Sequence, residues 1–337
     1  MKRVALVVPV FNVEHYLREC LDSILSQTYK NFVAFFINDG STDHSGDILD
    51  EYKNKDNRIC VIHQGNEGVS SARNKALNLI EKDNGFDYVC FVDSDDVIQP
   101  TFLETFVEKL SNSNSQYGVC GRVNFDRKGI YKKVIAGTSR LINSVNIAEH
   151  YFKKRSCGQG LEDPTVGFSL INKCFSYDII KGLRFDTSLK AAEDIDFMLT
   201  ILPKIQKGVL IPDVLYLRRL RKSSTTNLIN VFKYDWIVAK KAYHQLNNIS
   251  PKLKSGLESF LVQSWWNSVR FIYQNSPEER EIEYIKYIYN EIKSLNIKNN
   301  LSNIRKFIMF SLGQDFLKIY FSRIRSSDKP RKNFYFN

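Results

Sequence analysis

"VALVVPVFNVEHYLRECLDSILSQ", residues 4–27, changes its hydrophobic period once. Residues 4–10 form a continuous apolar run of strand length, whereas Leu17, Leu21, Ile24 and Leu25 then fall on one face of a helix. The alternation continues outward. "FVAFFIN" (32–38), "RICVIHQ" (58–64) and "YVCFVD" (88–93) read as further strands, and "SGDILDEYKN" (45–54) and "VSSARNKALNLIEK" (69–82) as the helices between them. Strands apolar on both faces that alternate with helices predict a mostly parallel sheet covered by helices. In such a sheet ligands bind at the carboxyl ends of the strands. Four polar or glycine-bearing segments fall there: "PVFN" (9–12), "NDGSTD" (38–43), "HQGNEGVSSARN" (63–74) and "DSDD" (93–96).

The remaining chain is read more coarsely. "YGVCGRV" (117–123) and "GVLIPDVLYLRRL" (208–220) are strand-like and flank the acidic "AAEDIDFML" (191–199), so residues 101–227 complete the same α/β domain on a mixed sheet. From residue 228 the composition turns to helical stretches rich in aromatics and lysines, such as "VFKYDWIVAKKAYHQL" and "EIEYIKYIYNEIKSL". The expected organisation is an α/β domain in two parts, 1–100 and 101–227, which the family resemblance described below makes a nucleotide-binding half and an acceptor half, followed by a basic α-helical region (228–337).

Composition excludes several classes. With 337 residues and 43% apolar content the chain can bury a large core. Its six cysteines, at 20, 60, 90, 120, 157 and 174, lack the spacing of a zinc site or a disulfide framework, and read as buried thiols in a reducing compartment. No signal peptide and no apolar run of the ~18 residues that a membrane span needs are evident, so the expectation is a cytoplasmic protein, soluble or attached at the inner face of a membrane. Of the net charge of +11, residues 228–337 carry +9, from 18 Lys plus Arg against 9 Asp plus Glu. Such a tail meets an anionic membrane, nucleic acid or only water. No recognised motif accompanies the charge, so nucleic acid is not expected as a partner.

The polar segments carry the chemistry. Asp93, Asp95 and Asp96 crowd like charges onto one turn, which costs free energy unless a cation sits among them or water screens them. Oxygen ligands without His or Cys favour Mg²⁺ or Mn²⁺, ions that keep waters and bridge substrate phosphates. The plainer reading is a polar turn, or Asp95 or Asp96 capping a helix that starts near Pro100. Asp39 sits at a glycine turn where a carboxylate can accept from a nucleobase or ribose, while Ser41, Thr42 or Asp43 caps the next helix. Gly68 precedes a helix start that favours anions, with Arg73 a turn later either reaching the anion or pairing with a carboxylate. Neither a GxGxxG after the first strand nor a P-loop is present.

The segments "VVPVFNVEHYLRECLDSILSQTY", "FINDGSTD", "NEGVSSARN" and "FVDSDD", in this order and spacing, resemble the family 2 glycosyltransferases, inverting enzymes of the GT-A fold that use nucleotide-sugar donors. The resemblance runs from residue 4 to about 227. It implies that Pro9, Val10, Phe11, Asn12 and Glu14 line the nucleotide pocket and that Asp39 bonds a uracil-type base. It further implies that Asn66, Gly68 and Arg73 sit against base and diphosphate. Asp93 would then contact ribose and metal, Ser94 would lie between the two acidic positions of the donor-binding turn, and Asp95 would be the direct ligand of Mn²⁺ or Mg²⁺. Asn38 departs from the pattern, since family members often carry Asp there.

The later "AAEDIDF" resembles the segment that supplies the family's catalytic base, which places the base at Asp194, with Glu193 positioning it or serving as base in its stead. Direct displacement needs one carboxylate to take the acceptor's proton, because the metal neutralises the departing diphosphate. A helix-opening acidic pair is the competing reading. "YLRRLRKSSTT" (216–226) resembles a segment in which Arg219 or Arg221 reaches the diphosphate, and "NK" (172–173) has a counterpart beside the acceptor site. The implied partners are a UDP-sugar and a glycan or lipid-linked glycan acceptor, in the assembly of a bacterial surface polysaccharide such as a capsule. Residues 303–332 suggest an amphipathic face for an anionic membrane, against the alternative of packing on the catalytic domain or forming a homodimer. A catalytically silent sugar-nucleotide-binding subunit is the alternative function.

Overall fold

The computed structural model describes residues 1–126, 129–134, 138–148, 167–221, 228–246, 251–274 and 279–295, together with single positions 248, 297, 306, 310 and 317. The chain divides into two compact units, one holding the sheet and its flanking helices and one holding the long helices that follow.

The first unit opens with the expected alternation: β1 (Val4–Val10), α1 (Glu14–Leu25), β2 (Phe32–Asp39), α2 (Ser45–Lys55), β3 (Ile59–Gln64), α3 (Val69–Asp83) and β4 (Tyr88–Phe91). There follow β5 (Val97–Ile98), α4 (Phe102–Ser113), β6 (Tyr117–Asp126), β7 (Gly129–Val134), β8 (Arg140–Ile142), β9 (Lys173–Ser176), α5 (Tyr177–Ile180), α6 (Glu193–Ile201) and β10 (Gly208–Arg219). All ten strands form one sheet in the order β3-β2-β1-β4-β9-β6-β10-β5, with β7 beside β6 and β8 beside β10. The strands β3, β2, β1 and β4 run parallel, and β9 is antiparallel to both β4 and β6. The sheet is therefore mixed, as expected. After two strands laid to one side of β1 the chain crosses to its other side, so the carboxyl ends of β1 and β4 meet at the switch in strand order, where α/β sheets bind ligands.

The core explains why the alternation was readable. Val4, Leu6, Val8 and Val10 of β1 are buried against Leu17, Leu21 and Ile24 of α1, and Ala5 and Val7 are buried on the opposite face. An aromatic cluster then ties α6 to β4. Phe91 meets Phe175, Phe185 and Phe197 edge-on at centroid distances of 6.1, 5.7 and 5.9 Å, and Phe185 stacks on Phe197 at 3.9 Å. Such packing fixes the start of α6 close beyond the end of β4.

The second unit contains α7 (Leu228–Leu246), α8 (Pro251–Gln274) and α9 (Glu279–Ser294). Its apolar stripe includes Trp236, Leu257, Leu261, Trp265 and Ile285, and the Trp265 Nε1–H donates to the Ile285 carbonyl at 3.3 Å. Among the described residues no helix is long and apolar enough to cross a membrane. The amphipathic reading of 303–332 lies outside the described residues apart from single positions.

Candidate active site

The first two loops at the sheet edge brace one another. Asn12, at φ +49°, donates its N–H to Ser41 Oγ (3.1 Å) and accepts the Thr42 N–H on Oδ1 (2.8 Å). Val13 and Glu14 donate their N–H groups to Ser45 Oγ (3.0 Å) and Asp43 Oδ2 (3.0 Å), so α1 is capped from the β2–α2 loop. Glu14 Oε2 in turn accepts the His44 N–H at 2.9 Å. Pro9 and Val10 lie in β1, Val10 buried in the core, while Phe11 is exposed at the loop.

Asp39, buried at the end of β2, accepts three hydrogen bonds, from Gln64 Nε2 (2.8 Å), the Glu67 N–H (2.9 Å) and the Gly68 N–H (2.8 Å). It thereby holds the loop that opens α3. Gly68 enters that helix at φ +94°, and Asn66 is exposed beside it. Gly40, at φ +72°, packs so close that a Cβ would come within 2.6 Å of the Asn66 backbone nitrogen. Asn38 Nδ2 meets His63 Nδ1 at 2.9 Å, and His63 Nε2 meets Asp50 at 3.1 Å, so Asn38, where the resemblance expects Asp, joins a polar chain that ends on α2.

The acidic turn separates its three carboxylates by role. Asp96 is 2% exposed and accepts from the Tyr216 hydroxyl (2.8 Å) and the Arg219 N–H (2.7 Å), locking the turn to β10; the Tyr216 hydroxyl itself accepts the Asp93 N–H at 3.2 Å. Burial, then the charges of Asp95 and Asp93, push its carboxyl well above the usual range. No helix is capped by Asp95 or Asp96, since α4 has Thr101 at its N-cap. The Asp95 side chain is 13% exposed and pairs with Arg221 Nε at 2.5 Å; burial, and next the Asp93 charge, raise its pKa. Asp93 is the open one, its side chain 40% exposed, and Ser94 is buried. Arg219 donates from Nε to the Asp95 carbonyl (2.8 Å), pairs with Glu19, and lies 4.4 Å from the Phe125 ring and 5.1 Å from the Tyr16 ring.

Arg73 joins the two acidic islands. Buried on α3 over the Phe185 ring, it donates to Glu193 Oε1 at 2.8 Å and lies 3.4 Å from Asp93 Oδ1. Asp194, next on α6, is pushed up to about 7 by burial and then by the Glu193 charge, with Arg73 opposing. A carboxylate with that affinity for protons suits general-base work near neutral pH.

Among the described residues no group of three or more His, Cys, Asp or Glu side chains gathers as a metal site. Two carboxylates on a crowded turn fit a hard cation that takes its other ligands from water and phosphate. The structure thus brings together Asp93, Asp95, Arg73, Glu193, Asp194, Arg219 and Arg221, while Asn12, Glu14 and Asp39 bond to neighbouring loops. Residues 222–226, which follow Arg221, lie outside the described residues. Sequence reasoning missed Tyr216, Tyr16 and Phe125, whose only signal is an aromatic at a strand end or in the first turn of a helix. It also missed Arg122 and Asn124, polar residues inside the apolar run of β6.

The family model for glycosyl transferase family 2 matches residues 5–176. GlyG, a glycosyltransferase of Streptococcus pneumoniae serotype 4, is 30% identical over 66% of this chain and 72% of its own length. GlyA of the same organism is 35% identical over 70% of this chain, which spans 33% of that longer relative. Among solved structures, S. aureus TarS 1–349 in complex with UDP-GlcNAc superposes with a TM-score of 0.70 at 18% identity, covering 98% of this chain and 93% of that one. A mannosyltransferase from Pyrobaculum calidifontis in complex with GDP-Man and Mn²⁺ gives 0.53 at 13% identity, with 99% and 89% covered. The chain belongs to glycosyl transferase family 2 and has the GT-A fold.

Proposed function

We propose that this protein transfers a sugar from a nucleotide-diphosphate donor, a UDP-sugar, to a hydroxyl of a glycan or lipid-linked glycan in the assembly of a surface polysaccharide. Displacement is direct and inverts the anomeric centre. Asp194 takes the acceptor's proton, Glu193 and Arg73 hold it in place, and Arg219 and Arg221 meet the diphosphate. The observation that carries this reading is Asp194 itself, a partly buried carboxylate whose pKa is raised to about 7, beside the Glu193 that Arg73 ties to the acidic turn.

Asp93 and Asp95 are the residues that would hold Mn²⁺ or Mg²⁺, an ion that supplies positive charge to the departing diphosphate. The protein's part is to place two oxygen ligands side by side and to keep Asp96 neutralised by hydrogen bonds beneath them. The UDP and UDP-GlcNAc complexes of TarS and the Mn²⁺ complex of the mannosyltransferase support this choice of donor and ion. A Bacillus spizizenii poly(ribitol-phosphate) beta-glucosyltransferase, 29% identical over 61% of this chain and 30% of its own length, supports a polymeric acceptor. The positive charge of residues 228–337 favours attachment to an anionic membrane, tested by flotation with anionic vesicles before and after removal of 303–337.

The test of transfer is release of UDP from a panel of UDP-sugars with a glycan acceptor, read by NMR for the anomeric configuration of the product. Inverted product from wild type, and a rate ~10²–10⁴-fold lower from Asp194→Asn, is the expected result. Full activity in that variant would overturn the assignment of the base.

A further inference from the structure

One aromatic ring, that of Tyr16, carries two guanidinium groups. It stands half-buried in the first turn of α1, with Arg219 Cζ 5.1 Å and Arg221 Cζ 5.8 Å from its centroid. Both arginines come from the close of β10 and just beyond it, and both meet the acidic turn. Arg219 is firmly anchored: its Nε donates to the Asp95 carbonyl at 2.8 Å, its Nη2 pairs with Glu19, and the Phe125 ring lies 4.4 Å from its Cζ. Arg221 has less to hold it. Among the described residues it is fixed by the Asp95 carboxylate, at 2.5 Å, and by the Tyr16 ring.

Two like charges over one ring repel, and each is offset by its own carboxylate, Glu19 for Arg219 and Asp95 for Arg221. A cation that claims Asp95 removes the offset from Arg221 alone. Arg219 stays where it is, because the Asp95 carboxylate is not among its partners. For Arg221 the face of Tyr16 is then what remains, an attraction between ring and guanidinium that does not depend on Asp95. A long side chain left without such a support must be ordered when its ligand arrives, and that ordering is subtracted from the ligand's affinity.

We infer that Tyr16 is a positioning residue, whose ring keeps the Arg221 guanidinium beside the acidic turn once a cation has taken Asp95, ready for the diphosphate that the cation brings. The inference rests on the proposed function and adds to it a residue that acts through Arg221. What matters is the face of the ring and not the hydroxyl, so phenylalanine can replace this tyrosine and an aliphatic side chain cannot.

The experiment is calorimetric titration of the full chain with UDP and with UMP at saturating Mn²⁺. Tyr16→Leu binds UDP about fivefold more weakly than wild type and keeps the wild-type affinity for UMP, because only UDP offers the second phosphate. Tyr16→Phe binds both nucleotides as wild type does. A helix merely loosened by the loss of a half-buried side chain would weaken UDP and UMP alike, and that outcome overturns the inference. In an Arg221→Gln background Tyr16→Leu has no further effect on UDP; a second loss of the same size there shows that the ring acts through Arg219 and also overturns it. Tyr16→Gln carries the same expectations should Tyr16→Leu not fold. A wild type that binds no UDP in the presence of Mn²⁺ overturns the donor reading together with this inference, whereas one that binds UDP no better than Tyr16→Leu does overturns this inference alone.

Discussion

Arg221 Nε forms an ion pair with the Asp95 carboxylate at 2.5 Å, so the expected metal ligand and an expected diphosphate-binding residue hold one another. A cation that enters the turn must compete with this guanidinium. A partly exposed ion pair is worth about 1 kcal/mol, or roughly fivefold in a dissociation constant. Arg221→Gln therefore binds Mn²⁺ alone about fivefold more tightly by calorimetry, and binds UDP in the presence of Mn²⁺ more weakly. Unchanged Mn²⁺ affinity would show that the pair does not guard Asp95.

The pH dependence of catalysis follows Asp194. Its base form is lost as pH falls through about 7, so kcat declines on the acid side with that midpoint. Stability moves the opposite way. Because the folded state raises this pKa above the unfolded value of ~3.9, the native protein binds the extra proton between those limits and loses stability as pH climbs from about 4 to 7. Asp194→Asn is therefore slowed ~10²–10⁴-fold yet has a Tm above that of wild type at pH 8, a gain that vanishes at pH 4. Differential scanning calorimetry at the two pH values checks both signs.

Arg73 is the strut between the acidic islands. Arg73→Met leaves Glu193 and Asp93 without their guanidinium and an apolar chain over Phe185, a loss of about 3 kcal/mol in urea unfolding. Arg73→Lys keeps the charge but not the two-pronged reach. It retains most of the stability and loses kcat rather than KM, since Glu193 no longer positions Asp194.

Asp96 and Asp95 are adjacent and have different duties. Asp96→Ala leaves the Tyr216 hydroxyl and the Arg219 N–H unsatisfied in the interior, costing about 2–4 kcal/mol. Tyr216→Phe costs about 1–2 kcal/mol, and both variants retain Mn²⁺ binding. Asp95→Ala does the reverse, sparing the fold and abolishing Mn²⁺-dependent UDP affinity. Equal effects on binding from the two aspartates would remove the division of roles.

Much of the fold was legible because apolar period is a local property. β1, β2, α2, β3 and α3 begin and end within a residue of their sequence readings and α1 ends two residues before its reading, since Leu17, Leu21 and Ile24 or Val4, Leu6 and Val8 state their own burial. Site residues were legible as a set, because each of the four loops ends a strand. Their partners were not. That Asp39 spends its lone pairs on the Gly68 loop, that Asp96 is locked by Tyr216, or that Arg73 meets Glu193 depends on residues 29 to 120 positions apart in the chain. No local pattern encodes such a pairing. Arg122 was overlooked because a single charge in an apolar strand looks like an interruption until its burial is known.

The helix α1 takes the acceptors for its opening N–H groups from Ser45 and Asp43, while Glu14 and Asn12 return the favour to His44 and Thr42. Neither crossover can detach without stripping the other of its partners. Amide protons at positions 12, 13, 14, 42 and 44 should therefore exchange with solvent as one cooperative group rather than one by one. On the proposed function, a nucleotide arriving there meets a wall already assembled, and little of its binding energy is diverted to ordering it.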